Sequence, residues 1–203
     1  ALFSMKENEE WRFLNFFENW NPDNFIESDW KEVKKDDKIY PPMAIKAIKK
    51  AFDLIKVGTA YNNLDKIVNA YKIGVTKFPK DIWLKREYAT LLARNNEAEE
   101  AIKIYKNLVL EIGDQAYVWH EFALLFSVEE VDLSIGMLSK AIKLQKDENF
   151  LGSTRLDLAE KLNKKNKLEE ALVELNKYQE YRIANNKNVS DKFNELAVFT
   201  KDI

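Results

Sequence analysis

An all-α fold of stacked helix pairs is what this sequence predicts, on three observations. The stretches REYATLLARNNEAEEAIKIYKNL (86–108) and LDLAEKLNKKNKLEEALVELNKY (156–178) carry one skeleton 70 residues apart: Ala89 and Ala159, Leu92 and Leu162, Asn96 and Asn166, Ala101 and Ala171. Turn punctuation is sparse, with five glycines and four prolines in 203 residues and the last proline at position 79; a β-rich chain of this length needs more breaks. Apolar residues make up 46% and charged ones 33%, enough of the former to bury a core and enough of the latter to coat it.

Sliding the chain by about 34 residues aligns more than these two copies. HEFALLFSVEEVDLSIGMLSKAI (120–142) puts Ala123 34 residues after Ala89 and Ser134 33 after Ala101, while Ile67 stands 34 before Ala101, followed by Tyr71 and Pro79 at second-helix positions. Small side chains recurring midway along one helix and early in the next are what close crossings require, because axes only 8–10 Å apart leave no room for larger groups. Tyr88, Leu92 and Tyr105, then Phe122, Phe126 and Leu138, then Leu158, Leu162 and Leu175 fill the space around those crossings. A helix–turn–helix period near 34 with this placement resembles the tetratricopeptide repeat (TPR) family over roughly residues 42–182. The resemblance implies a right-handed α-α superhelix, a TPR-like solenoid, closed by capping helices. Asn96 and Asn166 stand where the family prefers glycine; asparagine also tolerates the left-handed conformation that ends a helix.

Taken along the chain, residues 1–40 are expected to form an aromatic helical cap outside the period. Phe13, Phe16, Phe17 and Trp20 share one helical face, Asn21-Pro22 stops that helix and starts the next, and SDWKEV reads as a short helix with Asp29 and Glu32 as a capping box. The charged KEVKKDDK is expected to be a connector. About four helix pairs follow, at 41–80, 81–114, 115–148 and 149–182, with Pro41-Pro42 opening the first. That unit departs from the pattern by carrying Ile67 at a small-residue position, and the third has a turn one residue shorter. A polar break precedes a C-terminal capping helix within 183–203.

Chemistry is scarce. His120 is the single histidine and there are no cysteines, which excludes a multi-histidine centre, thiol catalysis and disulfides. No nucleophile elbow, Walker-type loop or dinucleotide fingerprint occurs. Glu99-Glu100 and Glu169-Glu170 precede second helices, where they favour the helix dipole and face water. The expectation is therefore a chain without enzymatic activity, cofactor or metal. No apolar run approaches the ~18 residues of a membrane span, so no membrane contact is expected. The opening ALFSMKENEE lacks the basic and apolar regions of a signal peptide, and with the absence of cysteine this points to the cytoplasm. It also lacks an initiator methionine, as a piece of a longer chain would.

In the resembled family the first helix of each pair lines a concave groove. Carried across residue by residue, that implies a partner-binding stripe of Trp83, Arg86, Thr90 and Arg94, then Tyr117, His120 and Leu124, then Ser153, Leu156 and Glu160, with Lys49, Phe52 and Lys56 preceding them. Trp, Tyr and Arg dominate binding energy at protein interfaces, so the expected function is a scaffold holding a peptide or helix in this groove. The positions that grip the C-terminal tails of the Hsp70 and Hsp90 chaperones in that family are Arg86, Thr90, Glu121, Ser153 and Asp157 here. Two acids would repel the tail carboxylate, which argues against that partner.

The aromatic N-terminal segment with FPKDIWLKREYA and YVWHEFALLF is also similar to TPR regions of multidomain bacterial conflict and defence proteins. That resemblance implies the alternative, a nucleic-acid-associated module of a larger bacterial chain working through the lysines at 46, 49, 50 and 56. The net charge of -2 supplies no broad basic field for it.

Overall fold

The computed structural model describes residues 10–56, 63–127 and 129–199. Expectations for the first nine residues, the final four and the side chain of Lys56 lie outside them. The chain divides into two compact units between Ile104 and Tyr105. Among the described residues, no helix is long and apolar enough to cross a membrane.

The first unit begins with α1 (Glu10–Trp20), whose Phe13, Leu14 and Phe17 are buried. Asn21, at φ 56°, accepts a hydrogen bond from the Asp23 N–H and starts a 3₁₀ turn at Pro22. A second 3₁₀ turn covers Glu27–Trp30. Here the expected capping box is not formed: the Asp29 carboxylate accepts from the Ile26 N–H at 3.0 Å, and Glu32 lies beyond the turn. Phe16, Trp20, Phe25 and Trp30 pack in series with centroids 5.0–5.5 Å apart, the first pair tilted and the next two edge-on, a spacing that favours aromatic pairs. The dense aromatics thus serve packing, and Trp30 is buried.

The charged stretch read as a connector is instead a β-hairpin, β1 (Val33–Lys35) against β2 (Lys38–Tyr40). Asp36 and Asp37 both take positive φ, 51° and 58°. That is the two-residue turn matching the strand twist, and aspartate is among the residues that tolerate it.

α2 (Met43–Lys56), α3 (Leu64–Lys77) and α4 (Ile82–Arg94) complete most of this unit. Pro42 accepts the Lys46 N–H through its carbonyl, as suits a proline opening a helix. A Cβ on Gly74 of α3 would lie 3.1 Å from Ile48 of α2 and 3.2 Å from Leu84 of α4, so glycine is what lets α3 sit this close to both. Asp81 caps α4 by accepting from the Leu84 N–H. The unit boundary falls within α5 (Ala98–Ile112); Ala89 and Ala101 are both wholly buried.

The second unit continues with α6 (Ala116–Ala123), α7 (Val131–Leu144), α8 (Gly152–Lys164), α9 (Leu168–Ala184) and α10 (Asp191–Phe199). Ala123, Ala159, Ala171 and Ser134 are all wholly buried, so the recurring small residues do occupy crossings. α10 caps the last pair, adding Phe193 and Leu196 to the core that holds Leu158, Leu162, Leu175 and Tyr178. Asn96 and Asn166 have φ of 62° and 58°, the helix-ending conformation expected of them.

Ser134 replaces the usual alanine for a physical reason. α6 stops at Ala123, leaving that carbonyl without a helical partner, and the Ser134 hydroxyl donates to it at 2.8 Å in the buried crossing. Ser134→Ala should therefore cost about 1–2 kcal/mol, read as a lower urea midpoint at unchanged m-value; an unaltered midpoint would mean the carbonyl is satisfied elsewhere.

Candidate functional site: first-helix faces in the two units

Each unit carries part of the expected stripe. In the first, Trp83 is 57% exposed and the Arg86 guanidinium lies over its ring at 4.5 Å. A cation over an indole face is an electrostatically favourable pair, and it holds the exposed ring in place. The Thr90 hydroxyl donates to the Arg86 carbonyl of its own helix at 3.0 Å, so it is partly committed. Arg94 donates through Nη1 to the Ile55 carbonyl at 3.3 Å and ties α4 to the end of α2. Phe52 is buried beside Tyr71, with ring centroids 5.9 Å apart, and presents nothing to a ligand; Lys49 is half-buried.

Beside this face the Tyr71 hydroxyl of α3 donates to Glu87 of α4 at 2.9 Å. Burial pushes the Glu87 carboxyl up, only partly opposed by the tyrosine hydrogen bond and by Lys49; burial and Glu87 likewise push Tyr71 up. The arrangement recurs inside the second unit, where the Tyr105 hydroxyl donates to Glu121 at 2.9 Å. Both members are displaced by 34 residues, so a polar latch between successive helices is part of the repeat itself. At the next step Ser139 and Arg155 stand in the two places. Arg155, 6% exposed, pairs instead with Glu148 at 2.7 Å and with Glu174.

In the second unit Tyr117 and His120 are half-buried and Leu124 is 49% exposed. Leu156, expected in the stripe, is 6% exposed and belongs to the core cluster, because the turn of α8 that carries it faces the neighbouring helices; Ser153 is exposed. His120 and Glu160 are joined by residues the stripe did not include. His120 Nε2 lies 2.6 Å from Asp157 Oδ2 and its Nδ1 3.2 Å from the Thr154 hydroxyl. Lys192, from α10, donates to Asp157 at 2.6 Å and pairs with Glu160 at 2.7 Å, and Lys164 pairs with Glu160 at 2.6 Å. Burial opposes ionisation of Asp157, but hydrogen bonds from His120 and Lys192 outweigh it and hold the carboxyl below its usual range; Glu160 is lowered in the same way by Lys164 and Lys192.

A hydroxyl, an imidazole and a carboxylate in a row invite comparison with a nucleophilic triad. Thr154 is only 4% exposed, however, and the carboxylate is shared with a lysine. The geometry is that of a clamp joining α6, α8 and α10. Among the described residues no group of three or more His, Cys, Asp or Glu side chains is placed to hold a metal ion. The missed partners had a sequence signal: Lys192 follows Asp157 by 35 residues, nearly one period, because α10 stands where a further unit would place its first helix.

These helix pairs, with small residues at the crossings and polar latches one period apart, define a TPR-like helical repeat protein. The chain belongs to the family described as Domain of unknown function (DUF7017), whose model matches residues 82–198. No protein among the curated sequences matches it. Solved structures share the fold. A MamA RS-1 ArsTM double mutant is 14% identical with a TM-score of 0.61, over 87% of this chain and 86% of that one. MamA 41-end from Desulfovibrio magneticus RS-1 is 10% identical with a TM-score of 0.55, over 89% and 98%. YrrB, described as a TPR protein with an unusual peptide-binding site, is 14% identical with a TM-score of 0.57, over 97% and 85%.

Proposed function

We propose that this chain is a non-enzymatic protein-interaction scaffold, acting in the cytoplasm, that holds a peptide or helix against the first helices of its repeats. The carrying observation is Trp83, more than half exposed yet held by the Arg86 guanidinium 4.5 Å from its ring. An aromatic already ordered in the free protein loses little side-chain entropy on binding, and Trp and Arg are the residue types that anchor interfaces. Tyr117, His120 and Leu124 supply the corresponding face in the second unit, with Glu160 at its charged edge. The printed description of YrrB as carrying a peptide-binding site is in keeping with this use of the fold.

The test is affinity capture from a homologous lysate with the whole chain and with Arg86→Ala/Tyr117→Ala. The variant is expected to lose the partners that wild type retains; identical recovered sets would remove the first-helix faces from the account. The second reading, a nucleic-acid-associated module of a larger bacterial protein, draws on the lysines of α2. It predicts oligonucleotide binding that weakens steeply as salt rises, whereas capture through aromatic anchors responds less.

A further inference from the structure

The two units differ in the charge their first helices carry. α2 and α4 hold seven Lys and Arg residues against Asp53 and Glu87, a net +5 in a chain of net -2; α6 and α8 hold three cations against three acids. The imbalance in the first unit is also spatially organised. α2 is buried along most of its circumference, through Ala44, Ile45, Ala47, Ile48, Ala51, Phe52, Leu54 and Ile55. Only a narrow stripe reaches solvent, and Lys46, Lys49 and Lys50 occupy it together with Met43 and Asp53. Arg94 joins α4 to the end of this stripe at the Ile55 carbonyl, and Lys49 acts on Glu87 across the same two helices.

From this we infer that the α2–α4 face of the first unit docks an acidic protein segment, one carrying several Asp or Glu side chains and at least one bulky apolar residue. The inference rests on the scaffold reading above and gives its partner a chemistry. Three features favour a peptide over a nucleic acid. Trp83 offers an apolar contact beside the cations. Asp53 and Glu87 interrupt the positive stripe, which a continuous phosphate backbone would meet as repulsion but discrete side chains can avoid. Lys46 is steadied over the Tyr40 ring at 5.3 Å, so one cation of the stripe is ordered before any partner arrives.

The decisive experiment is selection of a displayed library of random peptides on the whole chain, followed by fluorescence anisotropy of the enriched sequences and of a labelled duplex oligonucleotide. The expected result is enrichment of peptides with net negative charge and an aromatic or aliphatic residue, with binding weakened roughly tenfold or more by Lys49→Glu/Arg94→Glu. The charge-keeping pair Lys49→Arg/Arg94→Lys should retain binding, and Lys50→Glu, which lies on the solvent stripe away from the Ile55 contact, should weaken it even if the double variant folds poorly. Enrichment of neutral or basic peptides would overturn the acidic partner while leaving the scaffold reading intact. Acidic peptides that bind the Glu variants as well as wild type would overturn the location. An oligonucleotide bound more tightly than any peptide would replace both with the nucleic-acid reading.

Discussion

Arg155→Met should lower the stability of the chain by about 3–5 kcal/mol, the range seen when one member of a buried ion pair is removed. Arg155 reaches two carboxylates: Nε and Nη2 donate to the two Glu148 oxygens at 3.2 and 2.7 Å, and Nη1 donates to Glu174. The consequences for the two carboxylates differ. Glu148 has a side chain 48% exposed and can turn to water, whereas that of Glu174 is 12% exposed, with Lys177 at 3.0 Å the ion-pair partner that remains among the described residues. Most of the cost therefore comes from a buried charge on α9 that a solvent-exposed lysine balances only in part. That origin gives the control: Arg155→Met/Glu174→Leu should recover much of the loss, because an apolar pair of similar volume is often as stable as the ion pair it replaces. Both are read from chemical-denaturation midpoints followed by circular dichroism. A single variant within 1 kcal/mol of wild type would mean that α8 and α9 are not held through this residue.

Much of the fold was legible in the sequence because it is specified at positions with tight limits on side-chain size or backbone conformation. Ala89, Ala101, Ala159 and Ala171 recur because a larger side chain would separate the helices, and Asn96 and Asn166 because few residues adopt positive φ. Even the exception at Ser134 kept the size requirement and added a hydrogen bond. The hairpin escaped notice for the opposite reason. Its strands are three residues each and exposed at every position, so no buried face marks them; the surviving signal is Asp36-Asp37 as a two-residue turn.

The candidate site was legible in part. A family register placed His120 and Glu160 on a common face; Lys192, nearly one period beyond Asp157, lies on α10 outside the repeats over which the resemblance runs, and the stripe therefore stopped short of it. The register also assigned Leu156 and Phe52 to the surface. Position along a first helix determines which way a side chain points only when the neighbouring helices are arranged as the pattern assumes. In the first unit α2 is covered more completely than that, by α1, the 3₁₀ turn at Trp30 and α3.

The His120–Asp157–Lys192 clamp carries the second large expectation, and its pH dependence separates it from simple packing. Asp157→Asn keeps the shape of the side chain but removes the charge that His120 and Lys192 both address, and it should cost about 2–3 kcal/mol at neutral pH, as for charged hydrogen bonds in partly buried surroundings. The carboxyl is held below its ordinary value in the folded chain. Its contribution is therefore fully present above the unfolded value near 4 and is lost as pH falls through the lower folded value. The gap in denaturation midpoint between wild type and Asp157→Asn should accordingly narrow as pH falls below about 4. Lys192→Met should show a smaller loss over the same window, because Asp157 retains His120, and Glu160 retains Lys164, when the lysine is gone. A gap that persists undiminished into acid would assign the effect to packing at α8, and α10 would then be held chiefly by apolar side chains such as Phe193 and Leu196.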